Sequence, residues 1–145
     1  MTPEWGRALL WAVVVAALSQ VPNWLARTQA APGTVFIGSL APWAEDVTYH
    51  LSFAEQARRG AWLFEDKYNG NRIHSRLILN PYFLLLGRSA RWTRLALPDA
   101  ALAARFVIAV LLLLSAYGFA ARLLQRRSER ILYMILAPFG SGLGW

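Results

Sequence analysis

Two long apolar runs constrain this chain more than any other feature in it. The first, "ALLWAVVVAALSQVPNWLA" from Ala8 to Ala26, carries no charge. Its roughly 19 residues approach the ~20 that a helix needs to cross a bilayer. Arg7 and Arg27 flank it, and Trp5 and Trp24 lie near its ends, where an indole satisfies both its apolar body and its N–H at a membrane–water interface. The second, "AALAARFVIAVLLLLSAYGFAA" from Ala100 to Ala121, has one charge, Arg105. At roughly 22 residues it too has span length. A third run, Ile131 to Trp145, has the apolar character of a span but only about 15 residues.

Composition agrees. The chain is 57% hydrophobic and only 16% charged, with a mean hydropathy of +0.34. About a quarter of a soluble domain is charged. The fold class expected is therefore an α-helical integral membrane protein. Residues 1–27 hold the N-terminus and first transmembrane helix, and 28–99 form a large external loop with juxtamembrane and interfacial helices. Residues 100–121 are the second transmembrane helix, 122–130 a basic cytoplasmic turn, and 131–145 the start of a third span, as in the N-terminal part of a larger protein.

The net charge of +7 comes from arginines that flank apolar runs instead of forming one block, which argues against nucleic acid as a partner. No cysteine is present, so disulfides and zinc–thiolate sites are excluded. The short connection "RLLQRRSER", Arg122 to Arg130, has four arginines and one glutamate. Basic short loops stay cytoplasmic. The second span then runs outward to inward, the N-terminus is cytoplasmic, and loop 28–99 faces the periplasm or cell exterior of a bacterial inner membrane. A cleaved signal peptide is the alternative, with Arg7 as its basic start, Ala8 to Leu18 as its apolar core and Thr28 to Ala30 before the cut. The run continues through Val21, Trp24 and Leu25, which favours a retained span.

Within the external loop, Val47, Leu51, Ala54 and Ala57 have helical spacing and predict an amphipathic helix over 43–59, stopped by Gly60. Glu45 and Asp46 fall in its first turn, where the helix dipole favours carboxylates. Capping accounts for one acid. It does not account for Asp46, Tyr49, His50 and Phe53 sharing a face. Farther on, His74 and Arg76 lie in polar chain before "LILNPYFLLLG", Leu77 to Gly87, which is too short to span and predicts a helical interfacial segment over 77–87. Arg88, Arg91, Arg94 and Trp92 follow as a basic, aromatic stretch suited to lipid head groups. Gly140, Gly142 and Gly144 have the wrong spacing for a dinucleotide loop. Arg105 either snorkels to the interface or points into a polar cavity.

Two carboxylates beside a span, with histidine and arginine following, suit a lipid-phosphate sugar. Its anionic leaving group needs cations or a metal, and the acceptor needs a base. The order of parts resembles integral-membrane glycosyltransferases of the C superfamily, which use polyprenyl-phosphate sugars. A first membrane helix precedes an external loop with an acidic pair, Glu45-Asp46, on a juxtamembrane helix that ends at a glycine, Gly60. A polar stretch with His74 leads to an apolar segment with Asn80-Pro81, and then to an arginine in the next span, Arg105. Segments such as "LLLG" and "FGSGLGW" look closest to a bacterial branch of that superfamily. The pair here is Glu-Asp where many members have Asp-Asp, and the resemblance implies that the later spans and soluble domain of those enzymes would follow Trp145.

The resemblance implies sugar transfer to an acceptor on the outer face of the membrane, by the whole protein and not by these residues alone. Asp46 is the implied catalytic acid and Glu45 its companion. Tyr49, His50, His74, Arg76 and Arg105 are the candidates for donor and lipid-phosphate binding. A divalent metal, Mg or Mn, is the implied cofactor, with Asp46 as its contact. Partners are the lipid-linked sugar donor, membrane lipids and the remainder of the chain. Two alternatives stand beside this reading: a non-catalytic multi-pass membrane protein whose loop binds lipid or a partner, and an exported binding module behind a signal peptide.

Overall fold

The computed structural model describes residues 3–34, 36–37, 44–68 and 75–140, with Pro3, Ala44 and Glu45 described through their backbone alone. The described residues form five helices: α1 is Pro3–Thr28, α2 Ala44–Arg58, α3 Pro81–Thr93, α4 Leu97–Leu123 and α5 Arg127–Phe139. Among them there is no strand, only one isolated antiparallel bridge between Phe64 and Ile78. Among the described residues, two helices, α1 and α4, are long and apolar enough to cross a membrane. The chain forms two compact units, residues 22–104 and residues 1–21 with 105–145.

In the unit of residues 1–21 and 105–145, α1 presents alanines at four-residue intervals. Ala8, Ala12 and Ala16 are all buried. Small side chains at that spacing let helix backbones approach closely. Ala8 and Ala12 join Leu113 and Tyr117 of α4 and Met134 of α5 in one core cluster. Glu4 then Trp11 along α1 meet Arg130 then Met134 along α5, so these two helices run in parallel. Helix α4 reaches α5 through only residues 124–126 and lies antiparallel to it.

That connection is shorter than the turn expected over 122–130. Helix α5 begins at Arg127 because the Glu129 carboxylate accepts from the Arg126 backbone N–H at 3.4 Å, which satisfies a donor that a helix start leaves open. Pro22 does not end α1, which continues to Thr28.

In the unit of residues 22–104, α2 packs on α3. Helix α2 closes with two turn-forming bonds, Ala61 N–H to the Gln56 carbonyl and Gly60 N–H to the Ala57 carbonyl, each 3.0 Å. Gly60 has φ +110°, the left-handed region that this motif requires. Helix α3 does not begin at Leu77 as the apolar run suggests. Leu77 to Asn80 are not helical, since a residue before proline is driven away from helical angles. The Asn80 Oδ1 then caps the helix by accepting from Tyr82 and Phe83 N–H at 3.1 and 3.3 Å, and Pro81 takes the first helical position, where no N–H is needed.

Gly87, expected to close that segment, lies inside α3 and is buried. A Cβ there would overlap the Ala54 carbonyl oxygen and lie 2.6 Å from the Ala57 Cβ. It is therefore the point of closest approach between α2 and α3.

Gln56 secures the chain that leaves α2. Its amide donates to the Glu65 carbonyl and accepts from the Glu65 N–H, both at 2.9 Å, so a buried polar side chain is satisfied at both ends. Beside it Phe64 is fully buried and stacks on Phe53 with centroids 5.5 Å apart. Arg27 at the end of α1 forms a two-pronged ion pair with Asp99 at the start of α4.

Candidate functional site

Helix α2 places Asp46 and His50 one turn apart. The imidazole Nδ1 lies 2.9 Å from the Asp46 carbonyl oxygen and 3.3 Å from its carboxylate. The Asp46 side chain is 69% exposed and that of His50 40%, so the carboxylate is open to an incoming ligand while the imidazole is partly walled in. The wall is aromatic. His50 stacks on Phe83 of α3 at 5.2 Å, and Tyr49 meets Phe53 and Tyr68 edge-on at 4.9 and 5.4 Å. An exposed carboxylate above a rim of half-buried aromatic rings can accept a proton or contact a cation, and the rings offer apolar faces for a sugar.

The face drawn from the sequence is only partly an exposed surface. Asp46, Tyr49 and His50 share it. Phe53, counted on the same face, is buried in the core against Phe64. The reason is that α3 crosses α2 at Gly87 and covers the turn that carries Phe53, Ala54 and Ala57. Glu45 lies in the first turn of α2, described by its backbone. His74 lies outside the described residues.

Arg76 is exposed and lines a different cleft, with Gln56, Arg59, Glu65 and Lys67. Arg105 is half-buried in α4, in the other compact unit. No group of three or more histidine, aspartate or glutamate side chains that could hold a metal ion occurs among the described residues. Asp46 and His50 are two groups that could contact a metal ion whose further positions are taken by substrate phosphate and water. Magnesium tolerates that arrangement better than a metal that needs a full protein cage.

Two other charged assemblies were not apparent from the sequence. On α2, Glu55 accepts from Arg58 Nε at 2.7 Å and from Arg59 Nε at 2.8 Å. The Arg58 hydrogen bond holds the Glu55 carboxyl below its ordinary value, burial opposes this, and Arg59 adds to it. In the other unit, Glu4 accepts from Arg130 Nη1 at 3.1 Å and from the Tyr117 hydroxyl at 3.3 Å. Arg130 also donates through Nε to the Leu124 carbonyl at 2.9 Å. The sequence did contain a signal for this cluster. Glu4 and Arg7 stand one helical turn apart ahead of Ala8 and Trp11, and Arg127 and Arg130 stand likewise ahead of Ile131 and Met134.

No protein-family model matches this chain, and it matches no curated protein and no solved structure.

Proposed function

We propose that the chain belongs to an integral membrane glycosyltransferase that moves a sugar from a polyprenyl-phosphate donor to an acceptor on the outer face of a bacterial inner membrane, with Asp46 as the reactive carboxylate. The observation that carries this reading is the exposed Asp46 carboxylate beside His50 on an aromatic-lined face. Membrane placement is supported by α1 and α4. Only 17% and 22% of their apolar windows are buried within the chain, whereas the core helix of a soluble protein is mostly buried.

In this reaction the acceptor oxygen bonds to the anomeric carbon while the bond from that carbon to the phosphate oxygen breaks. Polyprenyl phosphate leaves with the bonding pair, and the acceptor proton passes to Asp46. Glu45 adds negative potential beside it in the first turn. Tyr49 and His50 are the groups beside Asp46 proposed to bind the donor and its lipid phosphate, with His74 and Arg76 of the same loop as further candidates. A divalent ion, Mg or Mn, would be held by Asp46 together with donor phosphate oxygens, and would stabilise charge on the leaving group.

The test is sugar transfer from a polyprenyl-phosphate donor, in membranes from cells that express the intact gene. Asp46→Asn keeps size and capping ability but removes the base, so transfer falls by about 10²–10⁴ with expression unchanged. Glu45→Gln has the smaller effect, because successive helical positions are offset by about 100° and position 45 does not share the turn-to-turn register of Asp46 and His50. Transfer at the wild-type rate in Asp46→Asn would leave Asp46 and His50 as a helix-start pair and remove the assignment.

A further inference from the structure

At one end of the unit of residues 1–21 and 105–145, α1 and α5, with Tyr117 of α4, line a partly open cavity of about 270 Å³. Its lining is ordered by charge. Along α1, Glu4 and Arg7 come first and Ala8 and Trp11 one turn later. Along α5, Arg127 and Arg130 come first and Ile131, Met134 and Ile135 follow. Both sets repeat at helical spacing, so each helix turns one continuous stripe to the cavity. Because α1 and α5 run in parallel, their charged turns lie at the same mouth and their apolar turns line the same shaft.

The charges at the mouth are not equivalent. Arg130 is committed, with its guanidinium bound to Glu4 and to the Leu124 and Gln125 carbonyls. Arg7 and Arg127 are exposed and make no ion pair with any described residue. The first turn of α5 adds N–H groups and the positive end of its dipole. The shaft below is too apolar to be filled by ordered water, which needs two to four polar partners.

We propose that this cavity binds one anionic glycerophospholipid, with its phosphate against Arg7 and Arg127 and an acyl chain along Trp11, Ile131, Met134 and Ile135. Guanidinium groups match phosphate oxygens in pairs, and basic pockets between membrane helices on the cytoplasmic side hold anionic head groups. A soluble phosphate would leave the apolar shaft unfilled. A zwitterionic lipid would bring its own cation to a mouth that already carries two uncommitted arginines. The proposal rests on the membrane placement of α1 and α4 and is independent of the transferase chemistry.

The experiment is native mass spectrometry of the full chain in mixed micelles holding equal amounts of phosphatidylglycerol and phosphatidylcholine. Wild type retains phosphatidylglycerol preferentially, and millimolar inorganic phosphate does not displace it. Arg7→Gln and Arg127→Gln each lower that preference about five-fold. Ile135→Trp fills the shaft and abolishes retention with all the arginines present. Arg126→Gln, in the same basic connection but outside the lining, changes nothing.

Equal loss in Arg126→Gln would mean diffuse surface attraction and overturn the proposal. So would full retention in Ile135→Trp, displacement by inorganic phosphate, or capture of a protein segment by a photocrosslinker at Ile131. Carbonate extraction of the chain from cell membranes separates the two readings. A chain that resists extraction yet shows no head-group preference defeats this proposal alone, and a chain that is released defeats the membrane placement as well.

Discussion

The indole N–H of Trp11 donates to the backbone carbonyl of Met134 at 2.9 Å. In a regular helix that carbonyl accepts from the residue four positions on, and here that residue is Pro138, which has no N–H. A side chain of α1 therefore supplies the donor that α5 lacks. Trp11→Phe keeps most of the ring but orphans the carbonyl, and should cost about 1–3 kcal/mol. Pro138→Ala restores a backbone donor four residues after Met134. The double variant should thus lose less than the sum of the single losses, by about 0.5–3 kcal/mol. Denaturant unfolding in micelles of all four members of the cycle measures this, and strict additivity would show that the indole bond does not stand in for the missing amide.

The crossing of α2 and α3 gives a contrast between two glycines. At Gly87 an added Cβ meets the Ala54 carbonyl, the Ala57 Cβ at 2.6 Å and the Arg58 nitrogen at 2.8 Å, two of them backbone atoms that cannot swing aside. Gly87→Ala should destabilise the unit of residues 22–104 by about 1–3 kcal/mol or more. Gly6 is an exposed helical glycine with nothing within 4 Å of its added Cβ. Gly6→Ala should stabilise α1 by about 0.5–1 kcal/mol, through the lower backbone entropy of alanine. Thermal midpoints that move the same way in both variants would refute the close approach.

Acid should loosen α2 through Glu55. The hydrogen bond from Arg58, helped by Arg59, depresses its folded-state pKa below the ordinary carboxylate value. A group shifted in this direction contributes stability that is present above the unfolded value, about 4.3, and lost as pH falls through the lower folded value. The pair is partly exposed, with 26% of the Glu55 side chain accessible, so the contribution is screened to at most about 1 kcal/mol. Glu55→Gln should lower stability at pH 7 and flatten its dependence on pH below 4.3. Equal slopes in the variant and wild type would assign the acid sensitivity elsewhere.

The orientation proposed for the chain is open to a direct check, because the sequence has no cysteine. Ser75, in the loop proposed to be external, and Ser128, in the first turn of α5, are both exposed. With single cysteines at these positions, an impermeant thiol reagent should label the Ser75→Cys protein in intact cells and the Ser128→Cys protein only after the membrane is opened. The reverse pattern would invert the topology.

Much of the helical layout was legible from local chemistry. The two long apolar runs became α1 and α4, because stretches of that length with one proline or one charge between them leave little competing local structure, and the helices continue through Pro22 and Arg105. Gly60 marked the end of α2 through a conformation that spans only a few residues, whereas Asn80-Pro81, read as interior to the 77–87 segment, is the start of α3. The same reading placed Asp46, Tyr49 and His50 on one face of α2, since helical spacing alone determines that.

What local pattern could not supply was the partner of each surface. Gly87 reads only as the last residue of the 77–87 segment. Its function as a crossing point depends on Ala54, more than thirty residues earlier. Phe53 looked like part of an exposed aromatic face until α3 covered it. Glu4 meets Arg130, and Trp11 meets Met134, across more than a hundred residues in each case. Charge and hydrogen-bonding capacity are written in the side chains, but which distant group satisfies them is decided only when the helices pack.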